Sequence, residues 1–226
     1  MLVDWNCPQP RAGFRGWLDR ITGVEATSAE LLVQFVPSLI FAIAAAIYAQ
    51  TLAVDWTYLQ LGLISVLGFD LLGGVLTNAT SSAKRWFHRT GQTWQHHLVF
   101  VSIHVFHIFL VATLFRDSDW SFLAIASGYL IGASILILRT PLYLQRPVAF
   151  GLYGLALLGN SYLFVPTVGL EWFLPLFFLK ILISHLLKEA PYLPEYSGFR
   201  LSEVPLTRTS PRPLDTPLLN KERGKG

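Results

Sequence analysis

Cysteine and charge are both scarce in this sequence of 226 residues. The single cysteine, Cys7, excludes an internal disulfide, and no Cys-x-x-Cys spacing is present for a metal or redox site. Charged residues make up 14% of the chain, whereas about 25% is usual in soluble domains. Hydrophobic residues make up 53%, and the mean hydropathy is +0.48. These values are atypical of a soluble domain and predict a protein whose main solvent is lipid.

Six apolar runs approach the roughly 20 residues that a helix needs to cross a hydrocarbon core about 30 Å thick. The connections between them are short, so neighbouring helices are expected to pack antiparallel. The sequence therefore predicts an all-α fold, a polytopic membrane helix bundle with six transmembrane helices. The predicted spans are residues 30–54, 57–79, 98–115, 120–138, 147–165 and 172–187.

Two segments flank the predicted six-helix domain of residues 30–190. Residues 1–29 form a cytoplasmic leader, which is either an irregular polar segment or a helix lying in the membrane interface. The apolar residues that would share one face of such a helix are Phe14, Trp17, Leu18 and Ile21. The TSAE stretch at residues 27–30 fits a capping box and predicts a helix start. Residues 191–226 are rich in proline and charge, and they are predicted to be a disordered cytoplasmic tail.

Lysine and arginine fall almost entirely on one side of the predicted bundle. Fifteen of them lie in the leader, the second and fourth loops and the tail, whereas Arg116 alone lies in a loop on the opposite side. Cytoplasmic loops of membrane proteins carry this excess of positive residues. Both termini are therefore expected in the cytoplasm, N-in and C-in.

Four of the six histidines lie in one stretch, GQTWQHHLVFVSIHVFHIF, at residues 91–109. At 100° per residue they fall within a sector of roughly 100°, so a helix would point all four the same way. These residues are His96, His97, His104 and His107. The stretch predicts a polar face on an otherwise apolar helix.

Polar residues of three predicted helices share one depth in the membrane. His107 and Asp70 each lie about 14 Å from the cytoplasmic ends of their helices, at about 1.5 Å of rise per residue. A charge at the centre of a span costs at least about 2.5 kcal/mol, so Asp70 is expected to have a partner inside the bundle. The group is either a working site or a charge pair that only fixes helix packing. The predicted catalytic residues are Asp70, His104, His107 and Lys180.

A metal site is predicted at the cytoplasmic rim, because imidazole nitrogen and carboxylate oxygen suit iron and zinc. The segments KRWFHR and TWQHHLVFVSIHVFH, about 25 residues, resemble the histidine boxes of membrane desaturases and hydroxylases, with one HH and one HxxH but no HxxxH. The resemblance implies a metal centre at the cytoplasmic face. The predicted metal ligands are His88, His96, His97, His104, His107, His185 and Glu189.

Other polar and small residues near this rim have a predicted role. A cationic and amide rim is predicted to hold a lipid phosphate or an acidic substrate, and its members are Asn78, Lys84, Arg85 and Arg89. Gly73 and Gly74 either open room for a ligand or seat a neighbouring helix. The small residues Ala124, Gly128 and Gly132 recur every four positions and predict close helix packing.

The leading interpretation is a membrane-embedded enzyme, with iron or zinc as its metal, that acts on a lipid or another hydrophobic substrate. A small transporter or proton-conducting subunit is the first alternative, because imidazole titrates near neutral pH and can relay protons. A haem-binding subunit, with His97 or His104 and His185 as axial ligands, is another, as is a structural subunit. Membrane lipid is the expected partner, and an oligomer or larger membrane complex is left open. Nucleic acid is not expected, since the sequence predicts no folded basic domain.

Overall fold

The chain is helical throughout the part that the structure describes. A computed structural model describes residues 5–191, in which no strand is present. The predicted disordered tail, residues 191–226, lies outside the described residues apart from Pro191. Eight helices result when two helices with an internal irregularity are each counted once: α1 (Gly13–Thr22), α2 (Ser28–Thr51), α3 (Tyr58–Ala79), α4 (Ser81–Phe87), α5 (Trp94–Leu114), α6 (Trp120–Arg139), α7 (Leu142–Leu163) and α8 (Phe173–His185).

Four of these helices are long and apolar enough to cross a membrane, and they are α2, α3, α5 and α6. Most of the surface of each is not buried inside the protein, and exposed apolar side chains such as Ile40 and Ile103 cover it. A helix that is apolar on its outer surface as well as its inner surface suits a lipid environment. The prediction of an all-α bundle built from long apolar helices is therefore confirmed.

Capping boxes set the starts of long helices. At the start of α2, the Thr27 N–H donates to Glu30 Oε2 (2.8 Å) and the Glu30 N–H donates to Thr27 Oγ1 (3.2 Å), which confirms the capping box predicted there. At the start of α5, the Thr93 N–H donates to His96 Nδ1 (3.1 Å). Because Thr93 caps it, α5 begins four residues before the predicted span 98–115.

The last two long segments differ most from their predicted spans. α7 begins at Leu142, so Pro147 lies inside the helix rather than at its start. Pro147 is the sixth residue of the helix and has no N–H to donate to the carbonyl four residues back, so α7 lacks one backbone hydrogen bond there. The α7 sequence also carries Gln145, Arg146 and Asn160, which lower its apolar character below that of the four apolar helices. α8 is shorter than they are, although it is apolar.

α3 lies at the centre of the bundle. It packs along α2 on one side and against α8 on the other, while α8 also packs on α7 and α5 packs on α6. The fully buried apolar side chains come mainly from α3, α5, α6 and α8, and examples are Ile64, Leu71, Ile108, Leu130 and Phe177. This arrangement brings the polar residues of α3, α5 and α8 toward one another.

The two long helices that carry histidines, α5 and α8, both depart from α geometry. α5 is interrupted at His104, where the His104 N–H donates to Val101 O and the His107 N–H donates to His104 O, both at 3.0 Å. α8 changes to a π-helix over its last seven residues, which include Lys180 and His185. Five residues apart in an α-helix, these two would point roughly 140° apart, whereas the wider i→i+5 turn of a π-helix brings them closer to one face. Such irregularities within helices are frequent at functional sites.

The stripe of small residues on α6 does not pack inside the protein. No atom of the described chain lies within 4 Å of a Cβ placed at Gly128 or Gly132. The inner face of α6 is formed by Ala126, Leu130 and Ala133, which are buried. The predicted packing of the stripe is therefore wrong within residues 5–191, because the stripe faces outward.

α1 exists as a short helix on the cytoplasmic side of the predicted topology. Its apolar residues Phe14 and Trp17 stack on each other with ring centroids 5.7 Å apart, and both are exposed. Ile21 lies further along the helix and is also exposed. A helix with an uncovered apolar face is typical of a segment that lies in the membrane interface.

Candidate functional site

One carboxylate oxygen joins three helices at the centre of the bundle. Asp70 Oδ2, from α3, lies 2.6 Å from Lys180 Nζ of α8 and 3.0 Å from His107 Nε2 of α5. The Lys180 side chain is only 4% exposed, whereas the Asp70 side chain is 41% exposed. The structure thus brings three of the four predicted catalytic residues into direct contact. Their catalytic role stays a prediction.

His104, the fourth predicted catalytic residue, stacks on His107. The two rings are 5.1 Å apart and nearly parallel, at 9°. His104 Nδ1 lies 2.8 Å from the Phe100 carbonyl, which only accepts, so Nδ1 carries the hydrogen and Nε2 keeps its lone pair. His107 Nε2 donates to Asp70, and its buried Nδ1 has no partner among residues 5–191.

Gly74 makes room for the lysine. The Lys180 side chain crosses α3 directly over Gly74, where a Cβ would overlap Lys180 Cε and lie 2.6 Å from Cδ. At Gly73 the nearest atom to such a Cβ is Ser38 Oγ, at 3.3 Å. The sequence leaves the role of the glycine pair open, but Gly74 follows Asp70 by four residues and therefore shares its helix face. The four-residue spacing between Asp70 and Gly74 is the signal in the sequence that Gly74 positions Lys180.

A cleft of about 380 Å³ opens onto Asp70, Lys180 and His104. Its other walls come from α1, α2, α3, α4 and α5. The apolar lining residues are Ile21, Phe35, Val66, Phe69, Phe87 and Phe100, and the remaining polar ones are Arg20, Gln34, Thr77 and Asn78. Among the described residues, no hydrogen bond or ion pair reaches Asp70 Oδ1. The cleft therefore combines apolar walls with two unused acceptors, Asp70 Oδ1 and His104 Nε2.

A second group of histidines is linked by hydrogen bonds near the ends of α3 and α8. Asn78 Nδ2 donates to Gly74 O (2.7 Å), so Asn78 Oδ1 faces His185 Nδ1 (3.0 Å) as an acceptor. His185 Nε2 then accepts from His97 Nδ1 (3.2 Å), and the hydrogens along this chain are fixed by its partners. His88 stacks on His97 at 4.6 Å and donates through Nε2 to the His185 carbonyl (2.9 Å).

The predicted metal site is not present in the part of the chain that the structure describes. No group of three or more His, Cys, Asp or Glu within residues 5–191 has an arrangement that could hold a metal ion. Some of the ring nitrogens are used in hydrogen bonds: His96 Nδ1 accepts from the Thr93 N–H, and His97 Nδ1 donates to His185 Nε2. Glu189 lies beyond the end of α8 and is exposed.

The predicted haem site fails for a similar reason. His97 and His185 form a direct hydrogen bond, which leaves no room for an iron atom between them. The Phe100 ring packs on His185 at 3.9 Å and on His104 at 4.4 Å, so it separates His104 from His185. A haem needs its axial nitrogens on opposite sides of one iron atom.

The predicted phosphate-binding rim is wrong for Lys84. This residue is buried, and its ammonium group donates to the carbonyls of Ser184 and Leu187, both at 2.6 Å. It therefore caps the carbonyl end of α8, where the helix dipole favours a cation. Burial lowers the pKa of Lys84 to about 8. Burial likewise lowers the pKa of the nearby His88 to about 3, so this imidazole is neutral at physiological pH.

The other predicted rim residues also have partners inside the protein. Arg85 forms an ion pair with Glu25 at 3.0 Å. The Arg89 guanidinium lies 3.7 Å above the Trp86 ring and donates to the Trp86 carbonyl. Arg20 of α1, which the sequence did not predict as a site residue, lines the cleft together with Lys180.

No protein-family model, curated protein or solved structure matches the chain. The resemblance to histidine-box enzymes is therefore not accompanied by a family match. A function can be argued only from the geometry of the cleft and of the groups that line it.

Proposed function

We propose that this protein is an integral membrane enzyme that acts on an elongated hydrophobic substrate carrying a hydroxyl or amine. The substrate lies in the cleft, and that polar group meets Asp70 and His104. The observation that carries the proposal is the Asp70 carboxylate. One oxygen is bonded to Lys180 and His107, while the other borders an apolar cleft with no partner among the described residues.

The residues of the inner group have distinct roles in this proposal. Asp70 Oδ1 accepts one hydrogen of a substrate amine and orients the group, whereas a substrate hydroxyl has a single hydrogen and gives it to His104. His104 accepts the proton through Nε2, because a neutral imidazole is an effective general base near neutral pH. Lys180 balances the charge of Asp70, and His107 fixes the carboxylate while stacking on His104.

The apolar walls support a hydrophobic substrate over a small polar one. Phe35, Val66 and Phe69 line the cleft and are also exposed on the outer surface of the bundle. Within a membrane such an exposed wall is reached sideways from the lipid. Ligand sites generally combine mostly apolar walls with a few placed polar groups.

Proton conduction is supported less well. A relay needs an unbroken chain of hydrogen-bonding groups, and the histidines form two groups instead of one. The Phe100 ring packs on both His104 and His185 and cannot carry a proton between them.

The proposed function predicts lipid conversion that depends on the cleft. The protein in liposomes of a polar lipid extract is expected to form a product detectable by mass spectrometry. His104→Gln is expected to lower the rate at least about 100-fold, because a general base contributes that much. Val66→Trp is expected to block the reaction by filling the cleft. Val99→Trp is the control, since Val99 is 61% exposed against 62% for Val66 but does not line the cleft. A product that forms equally in all three variants would exclude this cleft as the site.

We also propose that α7 and α8 cross the membrane, which gives six spans with both termini in the cytoplasm. The 22 residues of α7 extend about 33 Å, enough to cross the hydrocarbon core. The lysine and arginine asymmetry supports the orientation. Reporter domains inserted after Asp117 and Glu171 are expected outside, and one at Gly91 inside. An inside signal at Asp117 would contradict this topology.

A further inference from the structure

Arg20 brings a second positive charge to the cleft. It belongs to α1, and with Ile21 it lines the same cleft as Asp70 and Lys180. The end of α1 lies beside the end of α3, because Gln34 Nε2 contacts both the Thr22 carbonyl and Thr80 Oγ1. Asn78, the last α3 residue that lines the cleft, follows Asp70 by eight residues, or about 12 Å along the helix.

The Arg20 guanidinium has no acidic partner among residues 5–191. Its Nη1 donates to the Gly16 carbonyl at 3.0 Å, and no carboxylate lies within ion-pair distance. The neighbouring Asp19 is bonded to Arg11, which donates both its backbone N–H and its guanidinium. Arg20 is therefore left with donors for a ligand.

The bundle holds the end of α1 in place. Trp86 Nε1 donates to the Arg20 carbonyl at 3.1 Å, and Ser82 Oγ donates to the Thr22 carbonyl at 3.2 Å. Gln34 Nε2 also donates to the Thr22 carbonyl, at 3.3 Å. Gly23 approaches the backbone of Ser82 so closely that a side chain would not fit. Arg20 is thus positioned over the cleft by a fixed segment.

We propose that the cleft selects an amphiphile with a phosphate head group, and that Arg20 binds the phosphate. This inference rests on the proposed function and adds the class of its substrate. The phosphate lies at the membrane interface, where α1 rests, and the chain runs past Phe35 and Phe69. The hydroxyl or amine then lies at Asp70, about 12 Å along α3 from Asn78 at the α1 end of the cleft. A guanidinium presents paired donors that match phosphate oxygens.

Binding to delipidated protein in detergent tests the proposal, with hexadecyl phosphate, hexadecanol and inorganic phosphate as probes. Arg20→Gln is expected to weaken hexadecyl phosphate binding by roughly 10- to 100-fold, because a hydrogen bond to a charged group is lost. Arg15→Gln removes the same charge from an exposed position on α1 outside the cleft, and it is expected to change nothing. Inorganic phosphate alone is expected to bind weakly, since it lacks the chain.

The outcomes separate this inference from the function on which it rests. If Arg20→Gln and Arg15→Gln weaken binding equally, or neither does, Arg20 is not the phosphate site and the inference is overturned. Inorganic phosphate that binds as tightly as hexadecyl phosphate would also overturn it, in favour of a free-phosphate site. If hexadecyl phosphate and hexadecanol bind equally and Val66→Trp blocks both, the hydrophobic cleft stands without phosphate selection, and the inference is overturned. If Val66→Trp blocks neither, the proposed function fails as well.

Discussion

Asp70→Asn is expected to destabilise the bundle by about 3 to 5 kcal/mol, and Lys180→Met is expected to cost less. Removing one partner of a buried ion pair leaves the other charge uncompensated, and that loss has this magnitude. The asymmetry follows from burial, since the Lys180 side chain is 4% exposed and that of Asp70 is 41% exposed. Without Asp70 the ammonium stays in an apolar interior. Without Lys180 the carboxylate keeps His107 and its exposure to the cleft. Unfolding of the purified variants in mixed micelles measures the difference.

The double variant Asp70→Asn/Lys180→Met is the matched control. It removes both charges, so its stability is expected to recover most of the loss seen with Asp70→Asn. Equal losses in the two single variants would contradict the asymmetry argued from burial. The double variant also separates a working site from a packing pair, because a recovered fold without lipid conversion indicates that the charges serve the reaction.

Depth along a helix is the property of this site that sequence predicts best. The rise of an α-helix is constant, so counting residues from the end of an apolar run places His107 and Asp70 at one level. In the structure these residues are 3.0 Å apart. The cost of a charge inside the membrane likewise predicts that Asp70 has a partner, and Lys180 and His107 are partners.

Rotation about the helix axis is much harder to predict. Standard α periodicity points Lys180 and His185 in different directions, and the π-helix that brings them closer to one face has no reliable sequence pattern. The histidines of α5 show the same limit. They share a face by α-helical counting, but His96 caps the helix, while His97 contacts His185 and His107 contacts Asp70.

Partner choice is the other property that residue types do not reveal. Imidazole and carboxylate groups are metal ligands in general, but here some imidazole nitrogens, such as His97 Nδ1 and His104 Nδ1, are used in hydrogen bonds to another histidine or to the backbone. Lys84 belongs to a basic loop and yet is buried against the end of α8. In the sequence Arg20 is not distinguished from the other cationic residues of the leader, and the structure shows that it lines the cleft.

Gly74→Ala is expected to destabilise the protein by about 3 kcal/mol, although alanine is the better helix former by about 1 kcal/mol. The added Cβ would overlap Lys180 Cε and lie 2.6 Å from Cδ and 3.0 Å from Cγ. The end of a lysine side chain can usually move away from an added methyl group, but the Lys180 ammonium is bonded to Asp70 at 2.6 Å and is buried. Moving it breaks the ion pair. Thermal unfolding in detergent measures the loss, and native mass spectrometry measures whether hexadecyl phosphate still binds.

Two controls identify the cause of that loss. Gly73→Ala places a methyl group one residue earlier, where the nearest atom is Ser38 Oγ at 3.3 Å, and it is expected to be neutral or to stabilise the helix. In a Lys180→Ala background the three overlapping side-chain atoms are gone, so Gly74→Ala is expected to have almost no further effect. If Gly74→Ala lowers the stability as much in the Lys180→Ala background as in the native chain, Gly74 has a role other than making room for the Lys180 side chain at Asp70. Non-additivity between the two substitutions is the result that supports the close approach of α8 to α3 at this point.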